Sequence, residues 1–302
     1  MPQRLDKLLL GSNPIVGADH YSSERARERA IQFNAARSLK VIEAAAHSGA
    51  QGFTFSPDSE TLSLLANMDS IELPAGFGLY PLLPSLGRYW PMLVSGGPGA
   101  LISEMLKDVG WATKVKATVR GGASLARGDL SGLLKSYLDI EVARIRRVVP
   151  KGLPIRGVFL GEFFTDLALS VSGTSLLDQF CGAVRDGFHM IPGLQTLNFA
   201  RLARAINNSP RVCESAAIMA PFNPIGFQMN PTRSECESSL AHMSGHPVAA
   251  ISVLAAGRLA IDEAVMYLSK LPSIQSVVVG TSSPSHARES FQAFVQADFP
   301  PS

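Results

Sequence analysis

The residue in this chain best placed to do chemistry is Glu162, which follows the apolar run Gly157-Val158-Phe159-Leu160 and precedes Phe163-Phe164. A carboxyl group among such neighbours is short of water. That favours its protonated form and moves its pKa toward the range a general acid or base needs. The competing use is a buried ion pair, with Arg120 or Arg201 as the cation. A second group, Asp19-His20-Tyr21, follows Asn13-Pro14 near the N-terminus. An imidazole beside a carboxylate, or a phenol, can exchange a proton with a substrate. The same three residues, with Ser22, could equally cap a helix or lie on the surface. Asn13, Asn223 and Gln228 carry amides suited to holding a polar substrate.

The stretch Gly280-Thr281-Ser282-Ser283-Pro284 leads into a helix starting near Ser285. Hydroxyls and free N–H groups at a helix start bind phosphate well, although the same serines would also serve as N-caps. Asp19, His20 and Glu162 could in principle ligate a hard metal ion. No His-x-His, HExxH or cysteine-rich spacing supports one, so no metal site is expected. His242 and His246 have helical spacing, but Gly245 and Pro247 interrupt the helix and place His246 in a loop before a strand.

These residues need a scaffold, and short apolar runs alternating with helical patterns describe it. The strand-like runs are Leu8–Ser12, Gly52–Ser56, Phe77–Leu83, Arg156–Gly161, Leu194–Asn198, Ala216–Ala220, Pro247–Val253 and Ser276–Gly280. Each is apolar on both faces, as a strand enclosed between a core and a helix layer must be. Ala36–Ser48, Leu130–Val149 and Ile261–Lys270 read as helices. No glycine-rich dinucleotide fingerprint follows the first strand, which disfavours an open nucleotide-binding sheet. The expectation is a single (β/α)8 TIM barrel spanning residues 1–302, with Gly99–Arg120 helical and Gly121–Asp129 a loop. In such a barrel the site lies at the C-terminal ends of the strands, where all the candidates above fall.

Composition narrows the function classes. With 46% hydrophobic and 17% charged residues the chain can bury a large core, and a formal net charge of +2 gives no basic surface for nucleic acid. No apolar run approaches the ~18 residues of a membrane span. Three widely spaced cysteines, Cys181, Cys213 and Cys236, and the absence of a signal-peptide pattern point to a reducing, cytoplasmic location.

From about Pro192 onward the chain resembles the aldo-keto reductases. Leu194-Gln195-Thr196-Leu197-Asn198-Phe199 is similar to that family's strand ending in Ser-Asn-Phe. Ala220-Pro221-Phe222-Asn223-Pro224 is similar to its aromatic-Asn-Pro exit, and Gly257-Arg258-Leu259 to its turn after strand seven. Val277–Pro284 resembles its phosphate-receiving loop, with Glu289 as the acidic residue of the following helix. The resemblance implies a nicotinamide site using Asn198, a ring from Phe222, and Gly280, Thr281, Ser282 and Ser283. The family's catalytic groups have no match here. The second strand ends Thr54-Phe55-Ser56 where an Asp is implied, and no tyrosine follows it. The third strand lacks the implied lysine, Glu162 stands in place of a histidine, and Met219 in place of a glutamine.

On these grounds the sequence predicts a small-molecule enzyme doing non-redox acid/base chemistry, as a lyase, isomerase or hydrolase, on an anionic or carbonyl substrate. Glu162 is its acid or base, with His20 as its partner and the strand-eight loop holding an anionic group. The alternatives are an NADP-dependent oxidoreductase with a relocated proton donor, Tyr21 or His20, and a non-catalytic binding protein. Cofactor and oligomeric state stay open.

Overall fold

The computed structural model describes residues 4–16, 34–85, 130–209 and 213–299. Eight parallel strands close into a barrel in the order in which they occur along the chain. They are β1 (Leu8–Gly11), β2 (Gly52–Phe55), β3 (Gly78–Leu83), β4 (Gly157–Leu160), β5 (Ile191–Gln195), β6 (Ala217–Pro221), β7 (Val248–Ile251) and β8 (Ile274–Gly280). β8 returns to pair with β1, Leu9 opposite Val278 and Gly11 opposite Gly280, so the sheet has no open edge. The chain is a (β/α)8 barrel. Trp111–Arg120, expected to be helical, and the loop Gly121–Asp129 lie outside the described residues.

Alternation along each strand makes two apolar layers. Leu9, Tyr80, Phe159, Ile191, Met219 and Val278 point inward and pack on one another. Leu10, Phe53, Phe55, Leu160, Leu194 and Val277 point outward into the layer beneath the helices. Among those helices are α1 (Asn13–Val16), α2 (Ala35–His47), α3 (Ser59–Ala66), α4 (Leu130–Val148), α5 (Glu162–Ser170) and α6 (Thr174–Phe188). They are followed by α7 (Phe199–Asn208), α8 (Arg233–Leu240), α9 (Ile261–Leu268) and α10 (Pro284–Gln296). Local chemistry sets several starts: Asn34 accepts from the Arg37 N–H and Asp58 from the Thr61 N–H, as N-caps do.

Most strand ends differ by one or two residues from the sequence expectation, and β5 differs most. β5 begins at Ile191 and ends at Gln195, three residues earlier than Leu194–Asn198, and it contains Pro192 and Gly193. Both residues read locally as breakers. Gly193 is required by packing, because the Phe159 ring fills the space a side chain would take; a Cβ at 193 would lie 2.1 Å from it. Thr196, Leu197 and Asn198 therefore leave the sheet and form the strand's exit.

The N-terminal end of the barrel is closed by a polar plug. The Tyr80 hydroxyl donates to Asp6 Oδ2 at 2.7 Å, Arg156 pairs with Asp6, and the Ser276 hydroxyl donates to the Asp6 carbonyl at 2.6 Å. Burial raises the Asp6 pKa, against the lowering effects of Tyr80 and Arg156. Burial and the neighbouring Asp6 carboxyl push the Tyr80 phenol up as well. His246 is buried just before β7, its Nδ1 3.0 Å from the Ala216 carbonyl oxygen. Cys181, Cys213 and Cys236 are free and buried. Among the described residues no helix is long and apolar enough to cross a membrane.

Candidate active site

A cleft of about 550 Å³ opens over the C-terminal ends of the strands. Its floor is the uppermost inward-facing layer of the barrel, to which Thr54, Leu82, Gln195, Met219, Ile251 and Val278 contribute. Thr54 turns inward because Phe53 and Phe55 on either side belong to the outer layer, where their rings stack at 5.4 Å. Gln195 turns inward because Leu194 before it packs outward. Thr54 is 4% exposed, and among the described residues neither its Oγ1 nor the shielded Oε1 of Gln195 has a hydrogen-bond partner.

Glu162 stands at the rim of this floor as the first residue of α5, half-buried and lining the cleft. The turn before it is fixed by the Gly161 N–H, which donates to the Leu83 carbonyl at 2.8 Å. The expected apolar enclosure is not built. Phe159 points down the barrel interior, and Phe163 is 45% exposed. The alternative of an ion pair with Arg201 is not formed either: Arg201 is exposed on α7, and among the described residues no ion pair involves Glu162. Arg120, the other expected cation, lies outside the described residues, as do Asp19, His20 and Tyr21.

The far end of the cleft is made by β8 and α10. Gly280, Thr281 and Ser282 line it from the strand, His286, Glu289 and Ser290 from the helix, and Asn13 and Pro14 from the exit of β1. Ser283 does not line it. Its hydroxyl oxygen accepts the His286 N–H at 3.2 Å as the N-cap of α10. Pro284 has no N–H to give, so the helix start offers an anion fewer backbone donors than the sequence suggested. Thr281 and Ser282 line the cleft, and the Thr281 hydroxyl donates to the Ser283 carbonyl at 3.4 Å.

The third wall follows β6 and β7. Asn223, expected to hold substrate, is fully buried behind this wall and its amide is committed. Its Nδ2 donates to the carbonyls of Phe227 (2.9 Å) and Ser252 (3.2 Å), and its Oδ1 accepts the Phe227 N–H at 2.8 Å. This bracket presents Phe227, Gln228 and Ser252 to the cleft in its place. The Ser252 hydroxyl donates to Gln228 Oε1 at 2.8 Å, and both residues hold left-handed backbone conformations, φ 52° and 60°. Such conformations cost non-glycine residues about 1–3 kcal/mol each, and they tend to persist where surrounding contacts over-determine them.

Two further expectations are corrected. Phe222 cannot offer its ring to the cleft, because it lies in the outer layer edge-on to Phe199, with ring centroids 5.1 Å apart. One residue past the inward-facing end of β6, it falls on the wrong side of the alternation. Asn198 also lies off the lining; Leu197 occupies that stretch of wall. The exit is held from outside by Asp166, five residues into α5 and not a cap. It accepts from the Thr196 hydroxyl and from the Leu197 N–H at 3.1 Å.

Thr54 and Gln195 do not stand out in the sequence as site residues, although a signal exists: each is a polar residue two positions after a glycine within an otherwise apolar strand. Among the described residues no group of three or more His, Cys, Asp or Glu side chains is placed to hold a metal ion.

No protein-family model matches the sequence, and no curated protein matches it. Solved structures do match in fold. A protein of Pseudomonas aeruginosa assigned to the aldo-keto reductases superposes with a TM-score of 0.55 at 14% identity, covering 96% of this chain and 90% of its own. The glycerol dehydrogenase of Gluconobacter oxydans gives 0.53 at 12% identity, covering 97% and 89%. A protein assigned as a 2,5-diketo-D-gluconic acid reductase B gives 0.51 at 12% identity, covering 95% and 81%. The aldo-keto reductase likeness seen in the last third of the sequence thus extends, as a fold, over nearly the whole chain.

Proposed function

We propose that this chain is a nicotinamide-dependent oxidoreductase acting on a small carbonyl or alcohol substrate. The observation that carries the reading is the lining of the cleft. It runs from Glu162 at the barrel mouth to the start of α10, and we place the reactive ring of a dinucleotide over the barrel and its phosphates toward β8. The neighbours in fold, a dehydrogenase and two assigned reductases, support the same choice. The side chains present suit that ligand. The Ser282 hydroxyl is a neutral donor for phosphate oxygens, and the Glu289 carboxylate can accept from ribose hydroxyls. The cofactor, when bound, supplies or accepts hydride.

The proton that accompanies hydride needs a carrier of the chain's own. Glu162 is the ionisable side chain that the described residues bring to the barrel-mouth end; His286 and Glu289 lie at the other end. We assign it to donate to the developing alkoxide in reduction and to accept in oxidation. The neighbours in fold are a dehydrogenase and assigned reductases, so the oxidoreductase reading is preferred to non-redox acid/base chemistry. Titration of the protein with NADH and with NADPH, followed by nucleotide and tryptophan fluorescence, tests it. Micromolar binding of either is the expected result; no binding of either at millimolar nucleotide would sink it.

A further inference from the structure

Cys181 and Cys213 are fully buried free thiols, and the fold brings them together. Cys181 stands in the middle of α6, while Cys213 opens the turn that leads into β6. α6 grips that turn at two points, one on either side of Cys181. The Asp178 carboxylate accepts the Cys213 N–H at 3.0 Å, and the Arg185 guanidinium donates to the Glu214 carbonyl at 3.3 Å. Asp178, Cys181 and Arg185 succeed one another at helical spacing and share a face of α6. The turn laid along that face sets one thiol on the other, and the two are joined by a hydrogen bond.

Packing alone asks for less than this. Small apolar side chains would fill the same space. The turn holds Cys213 and Ser215 in left-handed conformations, φ 54° and 59°, which are unfavourable for such residues and persist where contacts over-determine them. The cover over the pair is thin, because Glu214 and Ser215 are exposed, as are Asp178 and Arg185. Releasing the two hydrogen bonds to α6 frees the turn, a local opening that leaves β6 in the sheet. The hydrogen bond with Cys213, and burial after it, hold the Cys181 thiol well above its ordinary pKa. Cys181 therefore keeps its proton under the closed turn. Cys213, carried on the turn itself, is the first sulfur that a reagent meets.

We propose that Cys181 and Cys213 are a modification site, a thiol pair that a small oxidised disulfide converts reversibly into an internal disulfide. On the opened turn the Cys213 thiolate attacks one sulfur of the reagent, breaking its S–S bond and releasing one thiolate. The Cys181 thiolate then attacks the Cys213 sulfur and expels the second. The protein loses two protons and two electrons, and the reagent's disulfide becomes two thiols. The turn lies at the N-terminal end of β6 and the cleft at the C-terminal ends of the strands, so the inference is independent of the oxidoreductase reading. The new bond closes a loop of roughly 30 residues and acts on the stability of the barrel.

The test treats the full chain with oxidised glutathione at mildly alkaline pH and maps its peptides by mass spectrometry without reductant. The expected product is a peptide pair joined through Cys181 and Cys213, with Cys236 still a thiol. The melting temperature should rise by about 5 °C and return to its starting value with dithiothreitol. Cys181→Ser should stop at the mixed disulfide, with one glutathione held on Cys213. Cys213→Ser should take up glutathione on Cys181 more slowly than that. The wild-type map stands by itself if either variant fails to fold. No linked peptide after days of exposure, a link through Cys236, or glutathione left on both cysteines overturns the proposal. An oxidised protein that melts below the reduced one also overturns it, since the bond would then form outside the native arrangement. Faster uptake in Cys213→Ser than in Cys181→Ser overturns the order of attack, and with it the turn as the point of entry.

Discussion

The Phe159 ring lies across the α-carbon of Gly193, so the largest inward side chain of β4 is accommodated by the absence of one on β5. The two residues are directly paired in register. Gly193→Ala should therefore force the ring or the strand to move, an overpacking cost of about 1–3 kcal/mol or more. Urea unfolding of the variant checks this. An unchanged midpoint would mean that the ring has another position open to it.

Glu162→Gln keeps the side chain's volume and removes its proton. The described residues hold no ion pair for it to break, so the melting temperature should change little. In the proposed oxidoreductase reaction, turnover of carbonyl substrates, followed as NADH or NADPH consumption, should fall ~100- to 10,000-fold. A large loss of melting temperature with turnover retained would move Glu162 from the chemistry to the scaffold.

Ser283 and Ser282 stand side by side but face different tasks, one capping α10 and the other lining the cleft. Ser283→Ala should cost about 0.5–2 kcal/mol of stability, as loss of an N-cap does, and leave nucleotide affinity within about twofold. The reverse pattern, a stable protein that binds nucleotide poorly, would return Ser283 to the proposed phosphate site.

Asp58 shows how the pH dependence should run. Burial is the largest influence on it and raises its pKa above the ordinary 3.8, against the lowering effects of the Thr61 hydrogen bonds and Arg144. The stabilising contribution of an acid with a raised pKa is complete below 3.8 and is lost as pH rises through the folded-state value, so the penalty is present at neutral pH. Asn keeps the oxygen that accepts the Thr61 N–H. Asp58→Asn should therefore melt at or above the wild-type temperature at pH 7, with the advantage shrinking as pH falls toward 3.8. Asp58→Ala loses the cap and should be destabilised by roughly 0.5–2 kcal/mol at either pH. A greater advantage for Asn at acid pH than at neutral pH would mean that folding lowers the Asp58 pKa instead of raising it.

The alternation of short apolar runs with helical patterns was enough to determine the eight-stranded barrel, because strands enclosed on both faces leave a recognisable signature at each position along the chain. The end of the barrel that carries the cleft followed from the same order of elements, and with it Glu162, Asn13, Gln228 and the Gly280–Ser282 stretch. The sequence could not determine which of two apolar faces points inward. Phe222 and Phe159 are equally hydrophobic, yet one lies in the outer layer and the other fills the barrel. With both faces of a parallel strand buried, the polar-apolar contrast that fixes facing in other sheets is missing. The same limit hid Thr54 and Gln195, whose place on the floor depends on the phase of their strands. It also hid the task of Asn223, whose amide meets Phe227 and Ser252 only once β6 and β7 lie side by side. The boundary of β5 was decided by tertiary packing outright: Pro192-Gly193 breaks a strand by local rules, and the Phe159 ring is what makes the glycine belong there.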